Sequence, residues 1–256
     1  MNQLTLSATL SSLGFGAYQI GRSLAPKYAR YGSPMPTLEN VEQLLHRVLD
    51  LGITLIDTAR AYGSSEESIG TCLHSRRDEY NLSTKVGETF DGNESHFDFT
   101  KTGMRQSVEQ SLRMLQTECV DILLLHAPPD DVTVLQQSDA VEMMRLFKDE
   151  GKARLIGFSG KTIEAQRDAM QWADVMMVEY SASNESNENI IRQANDQGIL
   201  VLLKKVLNSG HLPIDEAMEF LTKKSPIRHM LDCTIIGTSR IESLEENANR
   251  FKALEQ

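Results

Sequence analysis

The chain has 256 residues, 40% of them hydrophobic and 24% charged, with a formal net charge of −10. That balance suits a globular protein with a full core, and the acidity argues against nucleic acid as a partner, because its phosphates would be repelled. No run approaches the roughly 18 apolar residues of a membrane span, and the opening MNQLTLSATLSSLGFG lacks the basic and then apolar order of a secretory leader, so a soluble cytoplasmic protein is expected.

In chain order, QLTL and SATLSSL read either as a two-stranded hairpin or as a frayed tail, followed by a strand within SLGFGAYQIG and a helix over LENVEQLLHRVLDLG. From there apolar or β-branched runs alternate with segments of helical period: ITLID, NLSTKV, VDILLLH, RLIGFS, VMMVEY, ILVLLKK and CTIIGT are the strands. The helices between them are SSEESIGTCLHSR, TKTGMRQSVEQSLRMLQT, DAVEMMRLFKDEG, TIEAQRDAMQWA, NENIIRQANDQG and DEAMEFLTKK, and RIESLEENANRFKALEQ follows the last strand. Glycine closes helices at DLG, DEG and DQG, where a left-handed residue is needed. Strands apolar on both faces are parallel strands covered by helices.

Eight such units predict an α/β fold of the (β/α)8 TIM-barrel type, one domain over residues 1–256, with the N-terminal hairpin capping the barrel bottom. A doubly wound open sheet uses the same units, but its GxGxxG turn is missing. The cysteines Cys72, Cys119 and Cys233 stand far apart with no CxxC spacing, which predicts buried thiols and neither a zinc site nor a disulfide framework.

In a barrel the chemistry collects at the C-terminal strand ends. Asp57 ends the second strand with Tyr62 just beyond it, Lys85 lies in the third, and His126 ends the fourth; Ser159 ends the fifth, and Lys204 and Lys205 the seventh. Singly, each has an ordinary explanation: a loop-bonding acid, a packed phenol, a polar turn residue. Together, an acid, a phenol, an amine and an imidazole on consecutive strand ends form a set able to polarise and protonate a carbonyl, with Lys85 expected to bring the phenol toward the working pH and Asp57 to keep Lys85 charged. Nothing in the set donates hydride, so a nicotinamide is implied. IIGTSRIESLEEN offers a helix N-terminus and Arg240 for a phosphate. Gly63 and the serines after it are expected to turn the chain into its helix, with Ser64 or Ser65 as cap.

The motifs IDTARAYG, STKVG, LLLHAPP, GFSG and IIGTSRIESLEEN, in this order between Leu13 and Asn249, resemble the aldo-keto reductase superfamily. The resemblance implies a barrel that binds NAD(P)H in an extended pose and reduces an aldehyde or ketone, or runs the reverse, without metal or flavin. Tyr62 then matches the general acid, Lys85 and Asp57 its tuning pair, and His126 the residue orienting the carbonyl. Gly16, Ala17 and Tyr18 match the segment beside the nicotinamide, which Asp57 also borders, and Ser159 the carboxamide contact. Leu207, Ser209 and Gly210 match the pyrophosphate loop, and Gly237, Thr238, Ser239, Arg240, Glu246 and Asn247 the adenosine side.

Around the nicotinamide the chain departs from the family: Gly160 replaces an Asn, Met177 a Gln, and Lys204 the stacking aromatic. Lys204 and Lys205 are expected to strengthen phosphate contacts. Arg240 favours a 2′-phosphate, hence NADP(H) over NAD(H). Short loops and an end at Gln256 predict an open mouth for small or varied carbonyl compounds. Two other readings stay open: a non-catalytic nicotinamide-binding sensor or assembly subunit, and a lyase forming a Schiff base on Lys85, which a charged lysine disfavours.

Overall fold

The computed structural model describes residues 6, 9–23, 28 and 32–253. Among them the strands run in chain order as β1 (Leu13–Gly16), β2 (Leu55–Asp57), β3 (Asn81–Val86), β4 (Glu88–Phe90), β5 (Ser95–Phe97), β6 (Val120–His126), β7 (Ala153–Ser159), β8 (Val175–Glu179), β9 (Leu200–Lys204) and β10 (Cys233–Gly237). Eight of these close into a parallel barrel in the order β1-β10-β9-β8-β7-β6-β3-β2, the architecture expected from the eight apolar runs. The outer layer comprises α1 (Leu38–Asp50), α2 (Ser65–Leu73), α3 (Lys101–Met114), α4 (Asp131–Gln137), α5 (Ala140–Asp149), α6 (Ile163–Ala169), α7 (Glu188–Asp196), α8 (Ile214–Glu219) and α9 (Ile241–Lys252).

The helix boundaries have local causes. Thr37, Thr100 and Thr162 cap α1, α3 and α6 by accepting the amides of Asn40, Gly103 and Ala165. Gly52, Gly151 and Gly198 follow α1, α5 and α7 at φ of 79°, 71° and 71°, as the DLG, DEG and DQG signals predict.

Successive strand residues face opposite sides, and here both sides are apolar. Ile56, Leu82, Leu123, Leu125, Ile156, Phe158, Met176, Val201 and Leu203 pack outward under the helices. Leu55, Ile122, Leu124, Leu155, Val175, Met177, Leu200, Leu202, Cys233 and Ile235 fill the barrel. The same alternation, continued to the C-terminal strand ends, turns Asp57, Lys85, His126, Ser159 and Lys204 inward, so five polar residues on five strands share one mouth.

The opposite end is closed differently. The hairpin expected over QLTL and SATLSSL falls in part on residues outside those described; of the rest, Leu6 is fully buried against the barrel-filling cluster and the Thr9 amide donates to its carbonyl at 2.9 Å. The hairpin that the sequence reading missed is β4–β5, antiparallel and placed directly after β3. Its strands are too short for a period-two signal. Helix α4 was also unforeseen, lying where Pro128, Pro129 and Asp130 suggest a turn; Asp131 inside it is buried and accepts the Lys161 and Thr162 amides at 2.8 and 2.9 Å, which joins it to the start of α6.

Candidate active site

Asp57, at the inward end of β2, takes one hydrogen bond from Lys85 Nζ at 2.7 Å and another from Ser83 Oγ at 2.8 Å. Lys85 also donates to the Thr58 carbonyl at 2.7 Å and is almost fully buried. Burial lowers its pKa on balance, against the opposing pull of Asp57, but an amine held by two acceptors at 2.7 Å is not free to attack a carbonyl, which weighs against the Schiff-base reading.

The loop after β2 places Tyr62 above this pair, with the Lys85 ammonium 4.8 Å from the ring centroid. Tyr18 meets the ring edge-on at 5.0 Å and His126 at 6.2 Å, so three aromatic rings bound one space. Two glycines fix this loop. Gly21 accepts the Ser64 amide at 3.0 Å, and a Cβ on Gly63, whose φ is 58°, would come within 2.0 Å of the Gly21 oxygen. Neither Ser64 nor Ser65 caps α2 with its side chain, contrary to expectation; Ser65 Oγ is buried and bonds the Ala17 carbonyl and Thr58 Oγ1 instead. These contacts join the loops after β1 and β2.

The expected tuning of Tyr62 is corrected by the structure. Burial, and then the charges of Asp57 and Glu88, push the phenol well above its ordinary value, so it stays protonated at neutral pH. The charge of Lys85 is spent on Asp57 rather than on lowering the phenol.

Glu88, at the start of β4, went unnoticed in the sequence reading, where VGETF looks like a turn. Its Oε2 lies 2.8 Å from His126 Nδ1, at ion-pair distance but without hydrogen-bond alignment. Burial lowers the His126 pKa, Glu88 opposes that, and Lys85 and Lys204 add to it, so the imidazole is neutral near pH 7. With Nδ1 turned to Glu88, Nε2 is left for the mouth. Arg22 braces the hairpin: its guanidinium lies 3.4 Å from the Phe90 ring centroid and donates to the Ala61 carbonyl at 3.0 Å.

Other residues matched to the cofactor fall in three places. Gly16 pairs with Asp57 and Gly237 across the barrel seam, Ala17 donates to the Asp57 carbonyl at 2.8 Å, and Tyr18 follows. On the far side, Lys204 Nζ donates to Ser159 Oγ at 2.9 Å and to the Gly160 carbonyl at 3.4 Å, while Ser159 Oγ lies 3.7 Å from Met177 Sδ. The third place is the edge. Leu207, Ser209 and Gly210 form a tight turn in which Asn208, Ser209 and Gly210 have φ of 45°, 59° and 88°, a strained backbone of the kind found at ligand clamps. Thr238 Oγ1 accepts the Arg240 amide at 3.1 Å, and Ser239 sits between them. Arg240 opens α9 without a side-chain cap, its Nε 3.3 Å from Glu242. Glu246 and Asn247 are not on one face of α9, since Glu246 is exposed and Asn247 buried.

Of the two lysines expected to contact phosphate, Lys204 bonds Ser159 at the end of β7 and the Gly160 carbonyl beyond it, and Lys205 is ion-paired with Glu179. The donor set still suits an elongated anionic cofactor with a polar head. An ammonium and a hydroxyl lie in the mouth, a strained turn beside it, and an arginine at an uncapped helix start beyond. Asp91, Glu94 and His96 lie close together on the β4–β5 hairpin, all exposed and already bonded among themselves. The cysteines are free thiols; Cys72 and Cys233 are buried as expected, whereas Cys119 is half-buried.

A model of the aldo/keto reductase family matches residues 12–226. The chain is 30% identical over 194 residues to aldo-keto reductase YhdN of Bacillus subtilis, a match that covers 73% of this chain and 58% of that protein. It is 28% identical over 229 residues to the NADH-specific methylglyoxal reductase of Escherichia coli, covering 81% and 67%. A solved aldo-keto reductase structure from Pseudomonas aeruginosa superposes with a TM-score of 0.86 at 32% identity, covering 96% of this chain and 91% of that one. The chain belongs to the aldo/keto reductase family.

Proposed function

We propose that the protein is an NAD(P)H-dependent oxidoreductase that interconverts an aldehyde or ketone with its alcohol. The observation that carries this reading is the meeting of Asp57, Lys85, Tyr62 and His126 in one mouth, with Lys85 buried and paired at 2.7 Å. A carbonyl oxygen held between Tyr62 and His126 would take the phenolic proton. The bound nicotinamide supplies the hydride that adds to the carbonyl carbon. Because Tyr62 is a weak acid here, its proton passes only as the oxygen gains alkoxide character. Glu88 acts through His126 by setting which ring nitrogen faces the mouth.

The cofactor would run from Ser159 and the Gly16–Tyr18 segment, past Leu207–Gly210, to Thr238, Ser239 and Arg240, with Asn247 beneath them. We favour NADP(H) because Arg240 is a half-exposed guanidinium at that end. The Escherichia coli relative is NADH-specific, which makes the preference worth measuring directly. The substrate is a small carbonyl compound or alcohol, and neither nucleic acid nor membrane is involved; no described helix is long and apolar enough to cross a membrane. Free thiols suit a single barrel domain working in the cytoplasm.

The test is turnover of a panel of aldehydes, ketones and sugars with NADPH and with NADH, alongside cofactor binding by fluorescence. Binding with no turnover of any member would favour the sensor reading.

A further inference from the structure

Among the described residues, Lys204 is the mouth lysine without a carboxylate at ion-pair distance. Lys85 is paired with Asp57, and Lys205 with Glu179. Among the described residues no carboxylate lies within 4.0 Å of Lys204 Nζ, which bonds only Ser159 Oγ and the Gly160 carbonyl. An ammonium has three donors, so one remains for the mouth. Folding has left a half-buried ammonium in the barrel mouth with, among the described residues, no carboxylate in contact, and such a charge is costly unless something else uses it.

Its position says what could use it. Asp57, Lys85 and His126 occupy β2, β3 and β6, and Tyr62 overhangs them, so that wall of the mouth is filled by the groups that hold the carbonyl. A ring that delivers hydride to that carbonyl lies against the rest of the mouth, from β1 and β10 round to β7, β8 and β9, and on that last stretch Ser159, Met177 and Lys204 stand together. A nicotinamide is neutral when reduced and carries a positive ring when oxidised. An ammonium beside it is tolerated by the first and repelled by the second.

We propose that Lys204 makes this protein discriminate between the oxidation states of its cofactor, holding the reduced nicotinamide more tightly than the oxidised one through like-charge repulsion. The inference rests on the nicotinamide-dependent reading above. In a site of intermediate dielectric the repulsion corresponds to about tenfold or more in relative affinity.

The effect is pH-dependent in a stated direction. Burial first, then the Lys205 and Lys85 charges, bring Lys204 down to about 7, against the opposing pull of Glu179 and Asp57. His126 on β6 is the other titrating group that feels Lys204. Below about pH 6 Lys204 is charged and the discrimination is full; through pH 7 it is lost by stages, and above about pH 8 the neutral amine leaves little of it.

The experiment measures Kd for NADPH and NADP+ by calorimetry at pH 6 and pH 9, in the wild type, Lys204→Met and Lys204→Arg. The ratio of the two constants cancels the titration of the cofactor phosphates, which both forms share. The expected result is a wild-type preference for NADPH about tenfold larger at pH 6 than at pH 9, a pH-independent ratio in Lys204→Met, and a large ratio at both pH values in Lys204→Arg. Lys204→Met removes a half-buried charge, and Lys204→Arg, which keeps the charge, is the check on folding effects. A wild-type ratio equal at both pH values, or a pH-dependent ratio surviving in Lys204→Met, overturns the inference while leaving the oxidoreductase reading intact. Failure of the wild type to bind either form overturns both.

Discussion

The two ends of the barrel use the same residue type for opposite purposes. At the N-terminal end Asp121, Asp174 and Asp232 accept the amides of Leu82, Ile156 and Val201 at 2.9, 3.0 and 2.8 Å, each clamping its own strand to the one beside it. Asp121 is also bound by Arg77 at 2.7 Å and Arg154 at 3.0 Å, and a cavity of about 580 Å³ nearby is lined by these mutually paired groups. At the C-terminal end Asp57 meets side chains, Lys85 and Ser83, and beside this pair stand a phenol, an imidazole and an unpaired ammonium. A carboxylate used up by backbone amides supports the scaffold, whereas one coupled to titrating side chains can support chemistry.

Substitutions can break this contrast. Tyr62→Phe should reduce turnover about a thousandfold, the scale of a general acid, with cofactor Kd and thermal midpoint nearly unchanged; a fully active variant would remove Tyr62 from the mechanism. Asp121→Asn should do the reverse, costing about 3 kcal/mol in denaturant unfolding, as loss of a buried ion-pair partner does, with kcat of the folded fraction preserved. Asp57→Asn should lower both. Replacing Gly63 by Ala should destabilise by about 2 kcal/mol and lower kcat with it, since the new Cβ would strike the Gly21 carbonyl and displace the Tyr62 loop; an unchanged melting curve would refute that contact.

Smaller effects sharpen the account of each side chain. Glu88→Gln should lower kcat about tenfold and move the acidic limb of the pH profile to lower pH, because Glu88 raises the His126 pKa and its loss makes the imidazole harder to protonate. An unmoved limb would mean that Glu88 only fastens the hairpin. Arg240→Ala should weaken NADPH binding about tenfold and NADH hardly at all; equal weakening would end the preference for the phosphorylated cofactor.

The barrel was legible in the sequence because its strands are apolar on both faces and its helices end on glycine, signals that depend on near neighbours. The inward turn of Asp57, Lys85 and His126 follows from counting residues by twos. What escaped was set by distant partners. Ser65 looks like a helix cap, yet its hydroxyl is claimed by Ala17, 48 positions away. Glu88 reaches His126 only because a three-residue strand folds back over the mouth. The direction of the Tyr62 shift is set first by burial and then by the charges of Asp57 and Glu88, which no single motif encodes.

Leu6 has a bearing on how the chain reaches this state. It lies in one cluster with residues from Leu55 to Ile235, while β1 closes the barrel against β10, Leu13 opposite Thr234. The floor therefore cannot seal until the final strand has emerged from synthesis and found the first. Folding of this barrel should be slow and complete late, as for other proteins whose decisive contacts join distant parts of the chain.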